Sequence, residues 1–197
     1  QMTYGAKIGN DGDDAFQIYN QLNVTGDYNV GGIAGTLTGG TITNAANHGN
    51  ITATGKTVDT YSYHTAVKGE NNIPGYGDDD IFGGLEKPNE NDAVHNNLAT
   101  VKVDAANVGG IVGKADGSDT DKAVIENVLN DGDVMSKTEG GDSHYIAGNV
   151  GGIVGRAENT DITNAENKEN TIAGAHNVGG VAGFLGGDST VDTGVNN

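Results

Sequence analysis

The sequence predicts an all-β chain, specifically a β-solenoid (β-helix) of stacked Gly/Asn-rich repeats with loop insertions, and three observations predict it. The first is a phrase that recurs four times: Asn29-Val30-Gly31-Gly32-Ile33-Ala34-Gly35, Asn107 to Gly113, Asn149 to Gly155 and Asn177 to Gly183. The second is another phrase that alternates with it, an aliphatic residue, Asn two later, Asn three after that, a turn and a new aliphatic. The third is composition: 34 glycines, two prolines and 5% aromatic residues, with no long stretch at helical spacing. Recurrence at intervals of a few tens of residues marks an architecture in which each unit buries its apolar face only against its neighbours. Few aromatics suffice for such a narrow core, filled by stacked Val and Ile. The pattern does not encode handedness or the number of strands per turn.

Taken in chain order, Asp14 to Asn23 has residues compatible with a short helix. Its segment Ile18-Tyr19-Asn20-Gln21-Leu22-Asn23 aligns with the second phrase, so a strand is expected there. The first Val-Gly-Gly phrase follows. Read as one strand, alternation puts Val30, Gly32 and Ala34 on one side and Gly31, Ile33 and Gly35 on the other. Its glycines suit a tight corner or a close backbone approach. The second phrase then reads Ile42 to Ile51, and recurs as Ile125 to Val134, as Ile162 to Ile172, and in part from Val191. Asn20, Asn44, Asn127 and Asn164 are expected to stack in register, their side-chain amides bonding to turn backbone or to one another.

Between Thr54 and Ala93 the repeat is interrupted by an insertion holding Tyr61, Tyr63, His64, Tyr76, Phe82, both prolines and Asp78-Asp79-Asp80. A smaller one spans Lys137 to Ile146. The expected organisation is a single domain over 1–197, a piece of a longer protein, with 54–93 as a loop insertion. Insertions at the turns of repeat proteins often form the binding face. Tyr61, Tyr63 and Tyr76 are therefore the candidate ligand-binding residues, suited to stacking on sugars or filling a partner's pocket. A satellite apolar cluster that holds the loop down is the competing reading.

The net charge of −17 with only ten Lys and Arg argues against nucleic-acid binding and against anionic membrane surfaces. No apolar run approaches the ~20 residues that span a bilayer. Acidic clusters sit in expected turns, at 10–14, 78–80, 116–121 and 130–133. Calcium takes several oxygen ligands on a flexible loop, so Asp116, Asp119 and Asp121 are the candidate metal ligands, and calcium the candidate cofactor. Turn chemistry and solubility explain the same clusters without a metal.

Catalytic constellations are missing. His48, His64, His95, His144 and His176 include no short-spaced pair, and there is no cysteine. No Gly-x-Ser-x-Gly elbow is present, and no Lys-Ser/Thr follows the Gly-Gly phrases as a phosphate loop requires. No pair of carboxylates stands out for glycoside hydrolysis. A non-enzymatic chain is the expectation.

Together the two phrases resemble the GLUG-motif repeat family, over residues 18–55, 107–136 and 149–197. That resemblance implies repeats of large secreted or wall-attached bacterial surface proteins, such as adhesins and IgA-cleaving metalloproteases. It implies an extracellular, non-catalytic stalk or adhesive segment that attaches to a host or bacterial surface glycan or protein. The alternatives are a filament subunit that self-associates end to end, or an accessory region of a secreted protease or polysaccharide-degrading enzyme.

Overall fold

The computed structural model describes residues 5–9, 18–54, 57–61, 98–102, 106–137 and 148–197. It divides into two compact units, one of residues 1–56 with 104–197 and one of residues 57–103. Among the described residues there is no helix.

In the first unit, β1 (Lys7–Ile8), β2 (Ile18–Asn20) and β3 (Val24–Gly26) lead into β4 (Asn29–Gly31), β5 (Ala34–Thr38), β6 (Thr41–Asn47) and β7 (Ile51–Ala53). The next repeat supplies β10 (Ala106–Gly109), β11 (Val112–Asp116), β12 (Ala123–Asn130) and β13 (Val134–Ser136). Then come β14 (Gly148–Gly151), β15 (Val154–Glu158), β16 (Thr160–Asn167) and β17 (Ile172–Ala173), followed by β18 (Val178–Gly179), β19 (Ala182–Gly186) and β20 (Thr190–Asn196).

Equivalent strands of successive repeats pair in parallel and build four sheets. Sheet one is β4-β10-β14-β18, sheet two β5-β11-β15-β19, and sheet four β3-β7-β13-β17. Sheet three is β6-β12-β16-β20, with β1 and β2 both lying on the outer edge of β6. The register repeats residue for residue: Val108 faces Val30 on one side and Val150 on the other. The arrangement is β-helix-like, as the recurring phrases predict. The second unit is described by its own antiparallel pair, β8 (Thr57–Tyr61) with β9 (Leu98–Lys102).

Two apolar columns form the interior. Leu37, Ile42, Ile111, Val112, Ile125, Ile153, Val154 and Ile162 fill the one between sheets two and three. Val30, Ile51, Val108, Val134 and Val150 fill the other, between sheets one and four. β-branched side chains suit this packing because each stacks on its register partner, stiff at χ1 and flush with the pleat.

One expectation is corrected here. The Val-Gly-Gly phrase is not a single strand: the chain bends at its second glycine and the following aliphatic, separating β4 from β5, β10 from β11 and β14 from β15. A corner removes the two-sided alternation, so Val108, Ile111 and Val112 are all buried. Bare backbone makes that corner feasible. A Cβ on Gly31 would stand 2.7 Å from the carbonyl oxygen of Ile111 in the next repeat, closer than a side chain tolerates.

A second correction concerns Asn20. It stacks on Asn47, with Ile18 beside Ala45, and not on Asn44. The stack is decided by the amide it joins, not by the local Ile-x-Asn match.

Candidate functional site

Three asparagine ladders run from repeat to repeat. Inside the unit, Asn20, Asn47, Asn130, Asn167 and Asn196 form a chain in which each Nδ2 donates to the next Oδ1, at 2.8, 2.7, 2.8 and 2.7 Å. Asn47, Asn130 and Asn167 are buried, and Asn130 Nδ2 also donates to the Gly132 carbonyl at 2.9 Å. Burial of an amide is tolerated because its donors and acceptors are met.

The second ladder joins Asn44, Asn127 and Asn164, as expected from the sequence. These three carry positive φ of 54, 52 and 50°, a conformation asparagine tolerates better than most residues. The third links the heads of the Val-Gly-Gly phrases: Asn107 donates to Asn29, Asn149 to Asn107 and Asn177 to Asn149, at 2.7, 2.8 and 2.8 Å. Sequence reading gave these leading asparagines no role, although their recurrence in all four phrases was the signal.

The outward side of sheet two brings Thr36, Lys114, Arg156 and Phe184 into one register column. Lys114 pairs with Asp116 two residues on, at 2.8 Å, and Arg156 pairs with Glu158 in the same way. The Arg156 guanidinium lies 5.0 Å from the Phe184 ring centroid. Elsewhere Lys122 meets Asp161 of the following repeat at 2.9 Å, and Thr190 donates to the same carboxylate at 2.8 Å. The hydrogen bond from Lys122 holds the Asp161 carboxyl below its ordinary range, against a smaller opposing effect of burial. His48 Nδ1 lies 2.7 Å from Asp131 on the adjoining turn. Lys114, Lys122 and Arg156 thus sit against carboxylates of the same or a neighbouring repeat.

The calcium candidates are not assembled into a site. Asp116 is turned to Lys114, whereas Asp119 and Asp121 are exposed on a turn. That turn is closed by Ser118 N–H to the Asp121 carbonyl at 3.0 Å and by Asp121 N–H to Ser118 Oγ at 3.1 Å. Among the described residues, no three His, Cys, Asp or Glu side chains are placed to hold a metal ion. Of the tyrosine candidates, Tyr61 closes β8 opposite Leu98. Tyr63 and Tyr76 lie outside the described residues, as do the acidic clusters at 10–14 and 78–80. The 54–93 insertion is described at Thr54, in the first unit, and at 57–61.

Inward positions change character in the last repeat. Val178, Leu185 and Val191 are 45, 45 and 38% exposed, whereas their register partners Val150, Ala157 and Ile162 are fully buried. Among the described residues, no helix is long and apolar enough to cross a membrane.

The family described as the GLUG motif matches residues 146–173, the stretch that carries β14 to β17. This motif occurs in repeat regions of surface and secreted proteins. No curated protein and no solved structure gives a significant match to the chain.

Proposed function

We propose, from the GLUG motif at residues 146–173, that the chain is a β-solenoid segment of a secreted or surface-attached protein, acting without catalysis as a stalk and adhesive scaffold. The observation that carries this reading is the residue-for-residue register of the repeats, with Val30, Val108, Val150 and Val178 stacked in one file. A quasi-one-dimensional stack of this kind holds loops at fixed spacing and extends by adding units. Attachment falls to the unit of residues 57–103, which carries Tyr61, Tyr63 and Tyr76, and its partner is a surface glycan or protein. The ion-paired faces supply solubility and stiffness, and the acidic net charge disfavours nucleic acid as the ligand.

The test is binding of the purified chain to a panel of surface glycans and extracellular proteins, compared with a form in which a short Gly/Ser linker replaces residues 57–103. Binding by the parent and not by the shortened form supports the assignment. Equal binding by both moves the site to the repeats, and silence from both leaves a stalk without adhesion.

A further inference from the structure

We infer that Asn50, together with Asn23 one repeat earlier, is a glycan acceptor, its side-chain amide taking a sugar from a nucleotide- or lipid-linked donor. The inference concerns what the chain carries, not what it binds, and it does not depend on residues 57–103.

The chain contains Asn-x-Ser/Thr at two places, Asn23-Val24-Thr25 and Asn50-Ile51-Thr52. This is the tripeptide that asparagine-linked glycosylation requires. Parallel register sets one copy beside the other, with Val24 paired to Ile51 and Thr25 to Thr52. Both asparagines are exposed, just ahead of β3 and β7. Both threonines lie on the outward side of sheet four, Thr25 exposed and Thr52 half-buried.

The use of the amide separates these two asparagines from the three ladders. There Nδ2 donates to a neighbouring repeat, as Asn164 does to Asn127 at 2.8 Å. Asn23 and Asn50 work through oxygen instead: Asn50 N–H donates to Asn23 Oδ1 at 2.9 Å, and Asp133 N–H to Asn50 Oδ1 at 3.1 Å. Among the described residues, neither Nδ2 and neither threonine hydroxyl has a hydrogen-bond partner. Asn50 has a rung on either side, so its free nitrogen does not belong to an edge. On the next two rungs the same position holds Asp133 and Thr171, which have no amide nitrogen to modify.

Transfer forms a bond from Nδ2 to the anomeric carbon of the sugar as that carbon's bond to the donor phosphate breaks. The phosphate leaves with the electron pair, and one amide proton passes to the transferring enzyme. The product keeps its carbonyl oxygen, so the bonds from the Asn50 and Asp133 N–H groups survive. The sugar projects from the corner between sheets three and four. Adjacent rungs stand about 4.8 Å apart, so a bulky glycan on one acceptor blocks the other.

The test is glycopeptide mapping of the chain from the cells that naturally make it. A hexose or N-acetylhexosamine mass on Asn50, Asn23 or both is expected, and unmodified asparagine at both positions overturns the inference. A second measurement isolates the role of the free nitrogen. The folded, unmodified chain is incubated with a soluble asparagine glycosyltransferase and a UDP-hexose. Transfer to Asn50 is expected, reduced about tenfold or more by Thr52→Val, which removes the required hydroxyl. That change lies on the outward side of sheet four and should leave thermal unfolding unaltered. Glu166→Thr completes the same tripeptide at Asn164, which is also exposed but has its Nδ2 engaged. Asn164 should take up sugar about tenfold more slowly than Asn50, because its hydrogen bond must break first. Transfer to Asn164 as fast as to Asn50, or none to Asn50, overturns the inference.

Discussion

Gly110 lies against the side chain of Asn130 so closely that a Cβ at residue 110 would overlap Asn130 Cγ. The same meeting recurs between Gly32 and Asn47, Gly152 and Asn167, and Gly180 and Asn196. One repeated phrase thus supplies a flat spot and the other the amide that rests on it. This contact joins the corner between sheets one and two to the end of sheet three, and it separates the two apolar columns. The glycine and asparagine bias of the composition is a packing requirement of this interior waist.

Gly110→Ala should therefore be severely destabilising. The new methyl group meets both Asn130 and the Gly152 carbonyl, backbone that cannot move without shifting the next repeat. A loss of about 3 kcal/mol is expected, the upper end for overpacking. Gly180→Ala meets only the exposed Asn196 side chain among its nearest atoms and should cost clearly less. Urea unfolding of the two variants beside the parent decides the order.

Asn130→Ala takes from the buried Asn47 Nδ2 the acceptor of one of its two hydrogens, whereas Asn167 Oδ1 and the Gly132 carbonyl lose one donor each and keep a bond from Asn170 Nδ2. A buried group stranded in this way costs about 1–3 kcal/mol, so a loss of about 2 kcal/mol is expected. Asn196→Ala, at the exposed end of the same ladder, should stay within about 1 kcal/mol of the parent. Equal losses at the two positions would show that burial of the ladder is not what matters.

Asn127 separates backbone from side-chain effects. Its φ of 52° penalises a residue with a Cβ and no compensating amide. Asn127→Gly and Asn127→Ala both break the bonds to Asn44 and Asn164. The glycine variant avoids the left-handed penalty, and should be the more stable of the two by about 1 kcal/mol. Thermal unfolding with matched buffer and concentration measures that difference.

Acid stability has one identified contributor. The folded pKa of Asp161 lies below its ordinary value of 3.8, so its ionised form is favoured in the fold. That contribution is fully present above the ordinary value and is lost as the pH falls below it, through the folded pKa. Asp161→Asn should be less stable than the parent at neutral pH, with the gap closing below pH 3.8. The carboxylate is partly exposed, so added salt should narrow the gap as well. Denaturant midpoints at neutral and strongly acidic pH test both statements.

The sequence made the stacking legible because the same residues return at each rung. Val30, Val108, Val150 and Val178 align by eye and align in the sheet. The stack of Asn44, Asn127 and Asn164 was legible for the same reason. The corner was legible only in part: the glycines suited one, but the two-sided alternation over Val30 to Gly35 presumed a straight strand, which the bend at the second glycine and the following aliphatic removes. Asn20 was misplaced by three residues because a short string resembled Ile42-x-Asn44. The ladder to Asn47, with the Asn50 N–H donating to Asn23 Oδ1 at 2.9 Å, sets the true register. Pairs such as Lys122 with Asp161 and His48 with Asp131 join different repeats, and no local signal announces them. For the site, the spacing of Asp116, Asp119 and Asp121 suggested a shared ligand set, but the Lys114 ion pair and the Ser118 turn direct these residues elsewhere.

All of the proposed roles rest on the repeats stacking in parallel register, and nuclear Overhauser contacts in the isotope-labelled chain test that most directly. Backbone and side-chain protons of Asn107 and Val108 should show contacts to Asn29 and Val30 on one side and to Asn149 and Val150 on the other. Contacts joining those residues in antiparallel order, or a register offset by even one residue, would contradict the stack and the functions proposed from it.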